Sequence, residues 1–318
     1  MPRSLIFFTT DIHGSEKCFL KFINAGKFYK ANVIILGGDI TGKKLIPIIE
    51  QPDGSFRTTF LASERTMRTQ SEVNSVEQSI RDTGYYPYRT NPKEMDELRA
   101  DEAKVKDLFS KLMVESLKRW SRLAEERLKE TNVKCFVTPG NDDFFVIDPV
   151  LKECRCIANP EGIVVDIDDN HEMVSSGYSN MTPWKCPRDI SEEELARKID
   201  ATTSQVSDMK NCIFNFHCPP YGTPLDEAPK LDKEMRPVLA IGGQPEMEHV
   251  GSVAVMNAIK KHQPLLGLHG HIHESRGSTK IGRTLCLNPG SEYLEGILRG
   301  ALVSMDEKGV KDFMFISS

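Results

Sequence analysis

Short apolar runs, each ending abruptly in a glycine or a polar cluster, recur at residues 5–8, 33–36, 135–137, 212–216 and 265–268. Runs of this length with such ends predict buried β-strands. Between the first two, Ser15 is placed to cap a helix over residues 15–30 whose apolar face is Phe19, Leu20, Phe22 and Ile23. The chain therefore opens as a β-α-β unit. Residues 162–167 and 172–178 flank the turn formers Asp168, Asp169 and Asn170, and residues 301–305 and 310–316 flank 306–309. The first pattern predicts a hairpin and the second a closing pair of antiparallel strands. Together these elements predict an α/β fold, a two-layer mixed β-sandwich flanked by helices.

Residues 51–131 interrupt this pattern with no strong strand signal. Their second half places Leu98, Val105, Leu108, Phe109, Leu112, Trp120, Leu123, Ala124 and Leu128 at helical spacing. Asn91, Pro92 and Glu94 make a start resembling a capping box. One helix over residues 92–130 would be roughly 58 Å long. The segment is read as a helical insertion, in one piece or two, within a single domain spanning 1–318. It either covers one side of the core or projects as a lid or an arm through which a homo-oligomer pairs.

The net charge of -5 offers no broad attraction to nucleic acid or an anionic membrane. The opening apolar run is too short for a secretory core, and no stretch is long and apolar enough to span a bilayer. The eight cysteines are scattered, with only Cys154 and Cys156 close together, and are read as reduced thiols in a cytoplasmic protein.

The chemistry lies at the strand ends. Asp11 and His13 follow the first predicted strand, Asp39 the second, Asn141 the third, then His217, then His271 and His273. Ligands of α/β sheets gather beyond the carboxyl ends of strands, so seven residues scattered in sequence can meet. Oxygen donors mixed with imidazoles suit manganese, iron, zinc or cobalt. Asp39 is the natural bridge between two cations, because Gly37 and Gly38 let the backbone turn and bring its side chain to the centre.

The order Asp11-x-His13, Gly38-Asp39, Gly140-Asn141, His217, Gly270-His271-x-His273 resembles the calcineurin-like metallophosphoesterases, as does the turn Asn288-Pro289-Gly290-Ser291. The resemblance implies a four-layer α/β/β/α architecture and two divalent or mixed-valence metal ions. One would be bound by Asp11, His13, Asp39 and His273, the other by Asp39, Asn141, His217 and His271. A hydroxide bridging them would attack phosphorus in line with the leaving group of a small phosphate mono- or diester. The alternatives are an interaction protein that keeps the fold without turnover, and a metal-dependent nuclease.

One position departs from the family pattern. Asp142 stands where a histidine usually follows the Gly-Asn pair, and Asp143 matches the acidic residue often found next. An aspartate beside two dications is a poor proton donor and repels phosphate, so support of a ligand is its expected role. His269 is read as a residue that orients a ligand or lines the crevice, or as a packed histidine. The N-terminus of a helix over residues 252–262 is a candidate anion site, although Ser252 is read first as a simple cap, and Arg276 is a candidate phosphate contact.

Overall fold

The computed structural model describes residues 4–240 and 242–318. Two β-sheets lie face to face. The first has five strands in the order Gly309–Ser317, Arg299–Asp306, Ser4–Thr9, Val33–Gly37, Lys134–Thr138; the last three are parallel, and the two C-terminal strands join antiparallel. The second has six, in the order Gly277–Ile281, Thr284–Asn288, Leu266–Leu268, Cys212–Phe216, Glu172–Ser176, Val164–Asp166. Its four inner strands are parallel and its two outer strands antiparallel.

Strand alternation generates the layers. Ile6, Phe8, Val33 and Ile35 point between the sheets, where they meet Met173, Ile213, Leu266, Leu268 and Leu287 of the second sheet. Their neighbours Phe7, Ile34 and Leu36 point outward onto helix Glu16–Tyr29 and helix Glu102–Leu128. On the far side Cys212, Phe214 and Phe216 meet helices Glu192–Thr203 and Val253–His262. With successive side chains on opposite faces, a strand covered on both sides must be apolar throughout. That is why these strands read as unbroken hydrophobic runs, and the result is the expected helix–sheet–sheet–helix order.

Residues 51–131 correct the sequence reading in their first half. Strands Phe56–Phe60, Ser63–Met67 and Tyr86–Thr90 join Leu45–Glu50 in a separate four-stranded sheet, with helix Gln70–Asp82 against it. Its small core is Ile46, Ile48, Phe60, Met67, Val73, Val76 and Ile80. Such a sheet buries one thin face: Ser63–Met67 is fully buried only at Met67, so its hydrophobic signal is faint. Pro87 stands in Tyr86–Thr90, an edge strand, where a missing N–H is tolerated.

The second half is helical, as expected, and broken in two: Pro92–Arg99, then Glu102–Leu128 capped by Asp101. The long helix is a cover. Met113, Leu117, Trp120, Ala124 and Leu128 are buried, and the Trp120 indole stacks on Phe19 at 4.2 Å between ring centroids. Trp120→Ala is expected to cost about 3–5 kcal/mol of stability, measured as a lower urea midpoint. A loss below about 1 kcal/mol would instead describe a detachable arm.

Candidate metal centre

The loops that leave the parallel strands are sewn together by their own backbones. Asp11 N–H donates to Gly38 O (3.0 Å), His13 N–H to Asp39 O (2.9 Å) and Gly14 N–H to Ile40 O (3.0 Å). Across the sandwich, His271 N–H donates to the Asp11 carboxylate (3.0 Å), and the Ser291 hydroxyl to Asp11 O (2.6 Å). The Asn288 amide holds the carbonyls of Gly270 and Ile272. The Asn288-Pro289-Gly290-Ser291 turn therefore clamps the histidine loop onto the Asp11 loop. Asp11, His13, Asp39 and His271 all have left-handed backbone, with φ of 54°, 38°, 50° and 68°.

These tethers bring six of the seven expected ligands into two groups. Asp11, His13 and His273 form one, and Asp39, His217 and His271 the other. Asp39 faces both: its Oδ1 lies 3.4 Å from His217 Nε2 and its Oδ2 lies 3.6 Å from His13 Nε2. Gly140 brings the seventh, Asn141, alongside, since a Cβ on that glycine would lie 2.1 Å from Asp39 N. Asn141 donates its amide to Asp189 Oδ1 (2.9 Å), which turns its own Oδ1 the other way.

The unpartnered atoms fit a cation. Asn141 Oδ1 and His217 Nε2 are buried without a hydrogen-bond partner. His217 Nδ1 lies 2.9 Å from Gly37 O, which fixes its tautomer and aims Nε2 at the carboxylates. His13 Nε2 and His273 Nε2 face one another at 3.0 Å. Two imidazole lone pairs this close require a proton or a metal ion between them.

Electrostatics agree. Burial raises the Asp11 carboxyl, but His217 and then His273 pull it well below the usual carboxylate range. Asp39 is likewise held low against its burial by His217 and His13. Burial opposes a charge on His217, yet Asp39 and Asp11 overrule it and push its pKa up to about 10. Without a metal, protons supply the positive charge. Burial and the His217 charge lower His271 to about 4.

Asp143 is the strut of the centre. Its carboxylate accepts from Gly140 N, Ile40 N, Thr41 N and the Thr41 hydroxyl, at 2.6–3.0 Å. Burial and the charge of Asp39 push its pKa up to about 6, against those four donors, which favour the ionised form. Asp142 stands at the rim of the centre, where one of its carboxylate oxygens lies within 4.8 Å of ligand atoms of His13 and Asp39. Its Oδ2 pairs with Lys43 Nζ at 2.5 Å, its Oδ1 accepts from the Cys186 thiol at 2.7 Å, and its N–H donates to Asp39 Oδ1.

Three expectations are corrected. His269 is the packed histidine rather than a crevice residue: Nδ1 lies 2.8 Å from Phe216 O and Nε2 faces Gly267 within the strands, so it supports the strand end that carries His217. The N-terminus of Val253–His262 is already filled, because Glu192 accepts from the Ser252 hydroxyl, Val253 N and Ala254 N. Arg276 lies over the Phe315 ring. Sequence reasoning missed Asp189, for which no local signal exists, and Lys43, which the spacing from Asp39 could have flagged.

No family model matches the chain. The uncharacterized protein MJ1162 of Methanocaldococcus jannaschii is 34% identical over 168 residues, covering 52% of this chain and 68% of that protein. The chain belongs to the same family as MJ1162. One solved crystal structure matches at 15% identity with a TM-score of 0.59, over 99% of each chain. TT1561 of Thermus thermophilus matches at 14% identity with a TM-score of 0.50, over 100% of this chain and 99% of that one. At such identities the likeness shows the α/β fold.

Two measurements probe the centre. Asp189→Ala frees the Asn141 amide to rotate and is expected to weaken manganese binding about 10–100-fold, read by calorimetry. The raised His217 contributes stability that is full below its unfolded pKa of about 6.5 and is lost as pH rises through about 10. The metal-free chain should therefore melt progressively lower between pH 7 and 10. A cation replaces the His217 proton, so the metal-loaded chain should not follow that decline.

Proposed function

We propose that this protein is a metal-dependent phosphoester hydrolase of the calcineurin-like metallophosphoesterase class. The observation that carries the reading is Asp39, whose two carboxylate oxygens face separate Asp/His groups. One cation would be held by Asp11, His13, Asp39 and His273, and a second by Asp39, Asn141, His217 and His271. Manganese, iron, zinc and cobalt suit this mixture of oxygen and imidazole donors. Bound there, the cations supply Lewis acidity, activating water and neutralising phosphate charge.

The protein's own part is positional. Gly37 O orients His217, Asp189 orients Asn141, and Asp143 fixes the loop that carries Asp39. Fixed donors around a small charged group are what electrostatic catalysis requires. An open cavity of about 370 Å³ beside His273 is lined by Glu274, Glu292, Glu295, Tyr293 and Arg299. Its three carboxylates against one arginine offer no basic track for a nucleic-acid backbone, which disfavours the nuclease reading.

Protein loaded with manganese, zinc or iron is expected to hydrolyse p-nitrophenyl phosphate or its bis-ester. Asp39→Asn should lose more activity and metal than the roughly 10–100-fold typical of a supporting residue. Bound metal with no turnover of any ester would establish instead a fold kept for interaction alone. Asp142→His is expected to raise turnover of esters with poor leaving groups relative to p-nitrophenyl esters. Unchanged rates for both would show that the side chain at position 142 delivers no proton to the leaving group.

A further inference from the structure

Asp142 poses a difficulty for a phosphate-binding site, because it places a carboxylate where an anion must arrive. The structure contains its counterpart. Lys43 lies four residues beyond Asp39 in the same loop, and its Nζ is 2.5 Å from Asp142 Oδ2. The Cys186 thiol holds the other Asp142 oxygen, so the carboxylate is gripped from both sides.

The lysine is displayed rather than consumed by this pairing. Its side chain is 46% exposed, against 22% for Asp142 and essentially none for Asp11 and His13. An ammonium has three protons, and the Asp142 bond occupies one. The carboxylate it holds lies within 4.8 Å of ligand atoms of His13 and Asp39, which places the ammonium at the edge of the centre itself. Nearby arginines are engaged elsewhere: Arg188 with Asp148, Arg299 with Glu292, Arg276 over Phe315.

The loop is rigid enough to aim it. Gly42 N–H donates to the Tyr86 hydroxyl at 2.8 Å, and Thr41 is pinned to Asp143. Gly42 packs so closely on Gly84 that a Cβ would meet Gly84 O at 2.1 Å. We propose that Lys43 is a substrate-binding residue whose ammonium contacts the phosphoryl group at the metal centre, positioned by Asp142 in place of the family's usual histidine. This rests on the hydrolase reading above.

The test uses the full chain loaded with manganese, titrated with inorganic phosphate by calorimetry, alongside elemental analysis. Lys43→Met is expected to keep the wild-type metal content and to bind phosphate about 10–100-fold more weakly, the range of a charge-assisted hydrogen bond. KM for p-nitrophenyl phosphate should rise with it while kcat changes little. Lys43→Arg, which keeps the charge, should recover most of the phosphate affinity. Phosphate affinity within about twofold of wild type in Lys43→Met overturns the assignment, and so does loss of metal from that variant, which would make Lys43 a structural support of the loop that carries Asp39. Wild-type protein that holds manganese yet neither binds phosphate nor cleaves ester sinks the hydrolase reading itself, a distinguishable result.

Discussion

Two carboxylates, Asp11 and Asp39, lie side by side in the interior with almost no exposure to water. Burying one such charge is costly, and burying two together is untenable unless positive charge is held between them. The rest of the structure serves that need. Imidazoles arrive from three loops, backbone N–H groups point at both carboxylates, and the loops are laced so that none can withdraw alone. Whether protons or cations fill the gap, the side chains must stay where they are.

That constraint explains why the separate sheet matters. Strand Tyr86–Thr90 pairs along Leu45–Glu50, the strand that begins directly after the loop carrying Asp39 and Lys43. The Tyr86 hydroxyl reaches the backbone of that loop, and Gly14, Gly42 and Gly84 touch without side chains between them. The segment that interrupts the sandwich in sequence thus braces it at its most crowded point. The long helix closes the outer face of the first sheet instead.

The sandwich was legible in the sequence because doubly covered strands are apolar throughout, and the ligands because each stands just past such a run. The extra sheet was not, since Phe56–Phe60 and Ser63–Met67 bury too few residues to impose a visible period. Of the three histidines at 269, 271 and 273, proximity alone could not tell which turn inward; His269 points back into the strands because its ring still belongs to them. Asp189 acts through a loop that folds back onto Asn141 from 48 positions away, and only tertiary structure reveals such a partner.

The left-handed backbone at Asp11, His13, Asp39 and His271 has an evolutionary consequence. Each such residue holds a conformation that disfavours ordinary side chains, at about 1–3 kcal/mol apiece, and glycine there would relax it. A relative in which these side chains held nothing would gain stability by drifting to glycine at these four positions. Among descendants of this fold, side chains retained at strained sites are a signature of continued selection for what those side chains hold.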